Sequence, residues 1–242
     1  MTENAVRVEE FPRLNRSGVA RMLTVLLFAV LVAVIFFAAA GTLEVRQAWI
    51  YFGAIFVYLL VTWSVILALV PGAAEIVNER GKLKKDVKAW DKAFGLIYTL
   101  LMLGQPALAG LDVGRHHWSR APEDLAWPSV VLTLLAYLLA TWVMLVNKHA
   151  ETGVRIQQDR HHQVVSKGPY CLVRHPFYLS LIVIQLVYPL ALGSLYAYLP
   201  SALIITLFIW RTTREDATLQ AELPGYADYA TRVKYRLLPG VW

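Results

Sequence analysis

The stretch Pro176–Trp210, PFYLSLIVIQLVYPLALGSLYAYLPSALIITLFIW, runs for 35 residues without a charge. As a single helix it would be about 52 Å long, at roughly 1.5 Å per residue, against a hydrocarbon core of roughly 30 Å. Pro189, Gly193-Ser194 and Pro200 fall near its middle. The run therefore reads as two short helices, about 177–192 and 195–213, folded into a hairpin. Three more uncharged runs, Met22–Gly41, Ala48–Val70 and Leu125–Val146, are each long enough to cross a bilayer. A further helix is expected over about Ala93–Leu111, with a kink at Gly104-Gln105-Pro106.

Composition agrees. The 242 residues are 57% hydrophobic and 17% charged, against about 45–50% and about 25% in soluble domains. The expected fold class is all-α: a polytopic transmembrane helical bundle of about six crossings ending in a helical hairpin. Residues 1–146 would form four amino-terminal transmembrane helices. Residues 147–242 would form a second region with the hairpin and a polar tail. Residues 1–21 read as a surface tail, near the bilayer at Phe11 and Leu14. Residues 73–92 read as a solvated, partly helical loop. The first apolar run exceeds the usual 7–15 residues of a signal peptide core, so a retained helix is expected.

With six crossings and both termini inside, 20 of the 23 Lys and Arg lie in cytoplasmic segments. The positive-inside rule then places both ends of the hairpin on the cytoplasmic face. The net charge of +6 is read as basic loops beside anionic headgroups, with membrane lipids and not nucleic acid as the partner. One cysteine, Cys171, excludes an internal disulfide and a Cys-rich zinc site; as a neighbour of Tyr170 it is a candidate to line a pocket. His116-His117 lacks acidic ligand spacing, so no metal is expected.

Polar groups crowd both ends of the hairpin, which in a membrane protein marks a functional candidate. On one side stand Gln157, His162-Gln163-Val164-Val165, Gly168-Pro169-Tyr170 and Arg174-His175-Pro176-Phe177-Tyr178. Pro176 suits a first helical turn, whose free N–H groups can hold a carboxylate. On the other side, Arg211 and Glu215 are four apart and share a helix face, with Asp216 on the neighbouring one.

In order, H-x-V-V, G-P-Y, R-H-P-x-Y, an apolar hairpin and R-x-x-x-E-D-x-x-L resemble the isoprenylcysteine carboxyl methyltransferases and their bacterial relatives, within the broader phospholipid methyltransferase superfamily. The resemblance covers roughly residues 147–240. It implies S-adenosylmethionine as cofactor, surrounded by Gln157, His162, Gln163, Val164, Val165, Tyr170, His175, Pro176, Phe177 and Tyr178. Glu215, with Asp216 beside it, would hold the ammonium group. Arg211 would face and orient the acceptor, so Arg211 and Glu215 are the catalytic candidates. Arg174 or His175 would suit the cofactor's carboxylate. The sequence departs from the family in having Asp216 where a second glutamate is common, and Ser180 where glycine is common.

The implied reaction moves a methyl group to a lipophilic acceptor entering from the bilayer, with an isoprenylcysteine-type carboxylate foremost. A phospholipid amine, a small thiol or an isoprenoid acid is the alternative within this class. A membrane reductase using a nicotinamide cofactor, and a non-enzymatic transporter or scaffold, are the rivals from other classes.

Overall fold

The computed structural model describes residues 13–80 and 86–242. The expectations for residues 1–12 and 81–85, including Phe11, Lys82, Lys84 and Lys85, lie outside the described residues. The described chain is helical, with no strand. Its helices are α1 (Arg16–Ala40), α2 (Arg46–Leu69), α3 (Ala73–Arg80), α4 (Ala89–Gly110), α5 (Ala126–Val146), α6 (Pro176–Leu192), α7 (Tyr198–Glu222) and α8 (Tyr226–Arg232).

Four of them, α1, α2, α4 with its continuation and α5 with its leading turn, are long and apolar enough to cross a membrane. Large apolar side chains such as Leu27, Leu69, Leu135 and Trp142 stay exposed on these helices. That is the surface expected where lipid replaces water. Between helices the contacts use small residues instead. A Cβ placed on Gly110 would overlap the Phe36 carbonyl oxygen, and one on Gly114 would overlap Ala40. These two glycines let α4 lie directly against α1, with which it shares one of the most extensive contacts of the bundle.

Several boundaries move from their expected places. α1 starts six residues before Met22, because Asn15 caps it by accepting from the amides of Ser17 and Gly18 at 3.0 and 3.2 Å. Gly41, at φ 69°, ends it in the left-handed conformation. The polar segment after α2 is more ordered than a solvated loop: α3 buries Asn78, which accepts from the Asn15 amide and donates to the Arg13 carbonyl. α4 begins at Ala89 and takes Asp91 into its first turn. It continues through Pro106, and a π-helical turn, Leu111–His116, extends it. α7 runs nine residues past the expected 213, so the acidic and basic residues of its last turns remain helical.

Two polar knots fix the bundle. Midway along it, the buried Gln105 amide donates to Gln185 of α6 at 2.8 Å and to Ser201 of α7 at 2.6 Å. At the α6–α7 turn, the fully buried Asp112 accepts from the Ser119 amide at 2.7 Å and from the hydroxyls of Ser119 and Ser194 at 2.5 Å. A core of Phe36, Tyr51, Tyr188 and Leu192 fills that end. Phe94, Tyr178, Ile204, Phe208 and Leu237 form a second core beneath the other end. His116, one half of the adjacent histidine pair, stacks on Trp118 at 4.6 Å.

Candidate active site

The hairpin brings the two motif clusters together as its length requires. The start of α6 and the last turns of α7 sit side by side, joined by a short hydrogen bond from the Tyr178 hydroxyl to Glu215 Oε2. A cavity of about 470 Å³ opens between them, α4 and the polar segment after α5.

Glu215 and its neighbour Asp216 have opposite surroundings. Glu215 borders the cavity, and the Tyr178 hydroxyl is its hydrogen-bond partner. Asp216, rotated by one residue, is wholly buried and does not border the cavity. Its carboxylate is saturated by protein groups. Oδ1 takes Arg174 Nε at 2.8 Å, Tyr226 Oη at 3.0 Å and His175 Nε2 at 3.2 Å. Oδ2 takes Arg236 Nε and Gln220 Nε2 at 2.8 Å and Arg174 Nη2 at 3.0 Å. Asp216, expected beside a ligand, instead has every lone-pair direction used in joining α6, α7, α8 and the carboxy-terminal tail.

The same knot occupies most of the donors of Arg174. Its remaining Nη1 donates to the carbonyls of Val233 and Lys234 at 2.8 and 2.9 Å. The helix-start amides are also largely spent. Those of Tyr178 and Leu179 return to the His175 carbonyl at 3.1 and 3.2 Å, and those of Arg174 and His175 bond to Tyr235 and Arg236 of the tail at 2.9 Å. The tail is thus a closing strap under α6.

Arg211 shares a helix face with Glu215 but is held from another helix. Its partner is Asp91 of α4: Nη2 donates to Oδ2 at 3.0 Å, while Nε lies 2.8 Å from Oδ1 without hydrogen-bond alignment. Nη2 also donates to the Thr152 carbonyl at 2.8 Å, and Asp91 accepts the Val154 amide at 2.7 Å. The guanidinium lies 4.5 Å from the Phe94 ring centre and 5.3 Å from that of Tyr178. A cation so fixed presents its free edge to the cavity without reorganising.

Opposite the hairpin, the polar segment supplies a pair of imidazoles. Gln157 is buried and donates Nε2 to the His149 carbonyl at 2.5 Å, while its Oε1 lies 3.3 Å from His149 Nδ1. The His149 and His162 rings lie 4.7 Å apart. Burial, and then the neighbouring His149, push His162 down to about 4. His162 Nδ1 accepts from the Gln157 amide at 3.4 Å, which requires the neutral ring. The unfolded chain binds this proton below about pH 6.5 and the folded chain only near pH 4, so stability is complete above the first value and lost as pH falls toward the second. Melting temperature in detergent should decline as pH falls through this window, and His162→Asn should make the decline shallower. An unchanged slope would contradict a neutral buried ring.

Of the other expected residues, His162, Gln163, Val164 and Val165 border the cavity as one segment, and Gln157 borders it beside them. Tyr170, His175, Phe177, Tyr178, Arg211 and Glu215 border it too. Pro176 does not; it starts α6 and stays in the wall behind. Cys171 is exposed and does not line the cavity. Tyr170 is held by Asn147 Nδ2 at 2.8 Å, and burial raises its phenol to about 12. Sequence reasoning missed Asp91, Phe94, His149, Arg21 and Arg80, all on the cavity wall. They lie outside the motif region or at its edge, and no spacing ties them to it.

With this geometry in view, one comparison with known families bears on the region. Residues 129–221 match the isoprenylcysteine carboxyl methyltransferase (ICMT) family. The matching segment contains most of α5, all of α6, nearly all of α7 and the polar segment that faces them. This is the family that the motifs resemble, and the match supports a membrane methyltransferase. No curated protein matches the chain.

Proposed function

We propose that this protein is an integral-membrane methyltransferase that uses S-adenosylmethionine and acts on a lipophilic acceptor, with an isoprenylcysteine-type carboxylate foremost. The observation that carries the reading is the sharing of one cavity by the ICMT motif residues, an available carboxylate (Glu215) and a fixed cation (Arg211). A cavity of about 470 Å³ falls in the range of small-molecule sites, roughly 300–1,000 Å³. The residues present fit the cofactor. Glu215 suits an ammonium group. Tyr178 and Tyr170 offer aromatic faces or edges to a sulfonium. The neutral imidazoles of His149 and His162 and the Gln157–Val165 segment offer polar edges to a base.

When bound, the cofactor would supply an electrophilic methyl carbon to the acceptor oxygen, with the sulfur leaving as a neutral thioether. A carboxylate acceptor loses no proton, so the protein needs no base for that substrate. Arg211 orients the acceptor carboxylate, while Asp91 and Thr152 keep the guanidinium in place. Phe94, Tyr178 and Phe208 exclude water from the line of transfer. In the full topology we propose six crossings, with α6 and α7 as the last two, both termini cytoplasmic and the cavity mouth on the cytoplasmic face.

The test is transfer of a radiolabelled methyl group from S-adenosylmethionine to membrane extracts and to N-acetyl-S-farnesylcysteine. Base-labile label in the lipid fraction is expected for a methyl ester. Absence of transfer to any component, together with no cofactor affinity, would remove the reading.

A further inference from the structure

The arginines that border the cavity fall into two groups. Arg155 is held by Glu151 and Asp159, both at 2.8 Å, Arg174 by Asp216 and Arg211 by Asp91. Arg21 of α1 and Arg80 of α3 border the same cavity, yet neither has a carboxylate partner among the described residues. Arg80 donates Nε to the Ala150 carbonyl at 2.9 Å and Nη2 to the Met144 carbonyl at 3.2 Å. A guanidinium carries five N–H donors, so three have no hydrogen bond to the described residues.

Arg21 makes no hydrogen bond with the described residues. Both side chains are partly buried. Burial first, and then the nearby charge of Arg21, lower Arg80 to about 10. Glu151, on the same cavity, acts on Arg80 at longer range. Two partly dehydrated cations without a carboxylate in contact among the described residues are costly to keep unless an anion joins them. Across the cavity, Glu215 makes no ion-pair contact among the described residues, although Arg211 acts on it at longer range. Tyr170 borders the cavity with both Glu215 and Arg80. The cavity therefore has unspent positive charge on its α1–α3 side and unspent negative charge on its α7 side.

We propose that Arg21 and Arg80 form a subsite for an anionic group, a carboxylate or a phosphate, on a ligand of this cavity. The proposal rests on the methyltransferase reading and extends it. Arg174, the first candidate for such a group, is consumed by Asp216 and two carbonyls, whereas the α1–α3 pair keeps open donors. Two ligands carry this chemistry: the amino-acid end of the cofactor and the headgroup of a bilayer-derived acceptor. Planar guanidinium forks suit either anion.

The experiment is isothermal titration of the purified full chain in detergent with three matched pairs. These are S-adenosylhomocysteine and its decarboxylated form, N-acetyl-S-farnesylcysteine and its methyl ester, and short-chain phosphatidylglycerol and the corresponding diacylglycerol. Arg21→Gln should weaken the anionic member of at least one pair by about tenfold, the order expected for one charge-assisted hydrogen bond. The neutralised member should bind as in wild type, and Arg21→Lys should recover part of the loss. The pair that responds identifies the source of the anion. Arg21 makes no bond within the described protein, so its variant should melt as wild type does; Arg80→Gln, which loses two carbonyl contacts, is the second probe.

Affinities within twofold of wild type for every anionic probe, in both variants, would overturn the subsite. Wild-type protein that binds no S-adenosylhomocysteine would instead overturn the methyltransferase reading, and the anion subsite would stand or fall on the other two pairs.

Discussion

Asp216→Asn should destabilise the protein by about 3–5 kcal/mol, the order found when one partner of a buried ion pair is removed. Asn keeps the size of the side chain but leaves Arg174 and Arg236 without their counter-charge. It also turns one acceptor into a donor that faces Arg174, Arg236 or Tyr226. The carboxy-terminal strap and α8 should loosen together, since Arg174, Arg236 and Tyr226 all meet on this one carboxylate. The readout is the melting temperature in detergent, supported by proteolysis after Arg232 and Lys234. A melting temperature equal to that of wild type would mean that the knot is not structural.

The adjacent residue should behave in the opposite way. Glu215→Gln removes a carboxylate whose protein contact is the Tyr178 hydroxyl, so folding should change little. Cofactor affinity, by contrast, should fall by about 10–100-fold, the worth of a charge-assisted bond to an ammonium in a partly dehydrated site. Titration with S-adenosylhomocysteine measures this directly, with the melting temperature as the control for folding. If Glu215→Gln binds as tightly as wild type, the ammonium is held elsewhere and the polarity proposed for the cavity is wrong. Paired with Asp216→Asn, the variant separates two carboxylates that the sequence presents as a unit.

That separation illustrates what the sequence can and cannot convey. Uncharged runs place the membrane helices because crossing length is a local property, and the Pro176–Trp210 run gives the hairpin for the same reason. The start of α1 and the reach of α7 to Glu222 were missed because charged residues continue a helix beyond an apolar run when caps and tertiary partners satisfy them. The motif residues meet around one cavity because the hairpin returns the chain to its starting face. Their division of labour was not legible. Asp216 and Glu215 differ by about 100° around α7, which turns one inward to Arg174 and the other toward the cavity. Spacing put Arg211 and Glu215 on one helix face, but it could not show that a buried partner 120 residues away, Asp91, holds Arg211. Nothing near Asp91 in the sequence announces that contact, since its neighbours resemble an ordinary charged loop.

The Gln105–Gln185–Ser201 knot midway along the bundle constrains how the protein can move. If α4 slid past α6 and α7 by a helical turn, about 5.4 Å, Gln105 would leave Gln185 and Ser201 and strand polar atoms among hydrocarbon side chains, at a cost of several kcal/mol. These three helices behave as a clamped shaft that can tilt but not telescope. On the methyltransferase proposal, admission to the cavity would therefore fall to parts outside the clamp: the 147–175 segment, the carboxy-terminal strap and the lateral seams between helices.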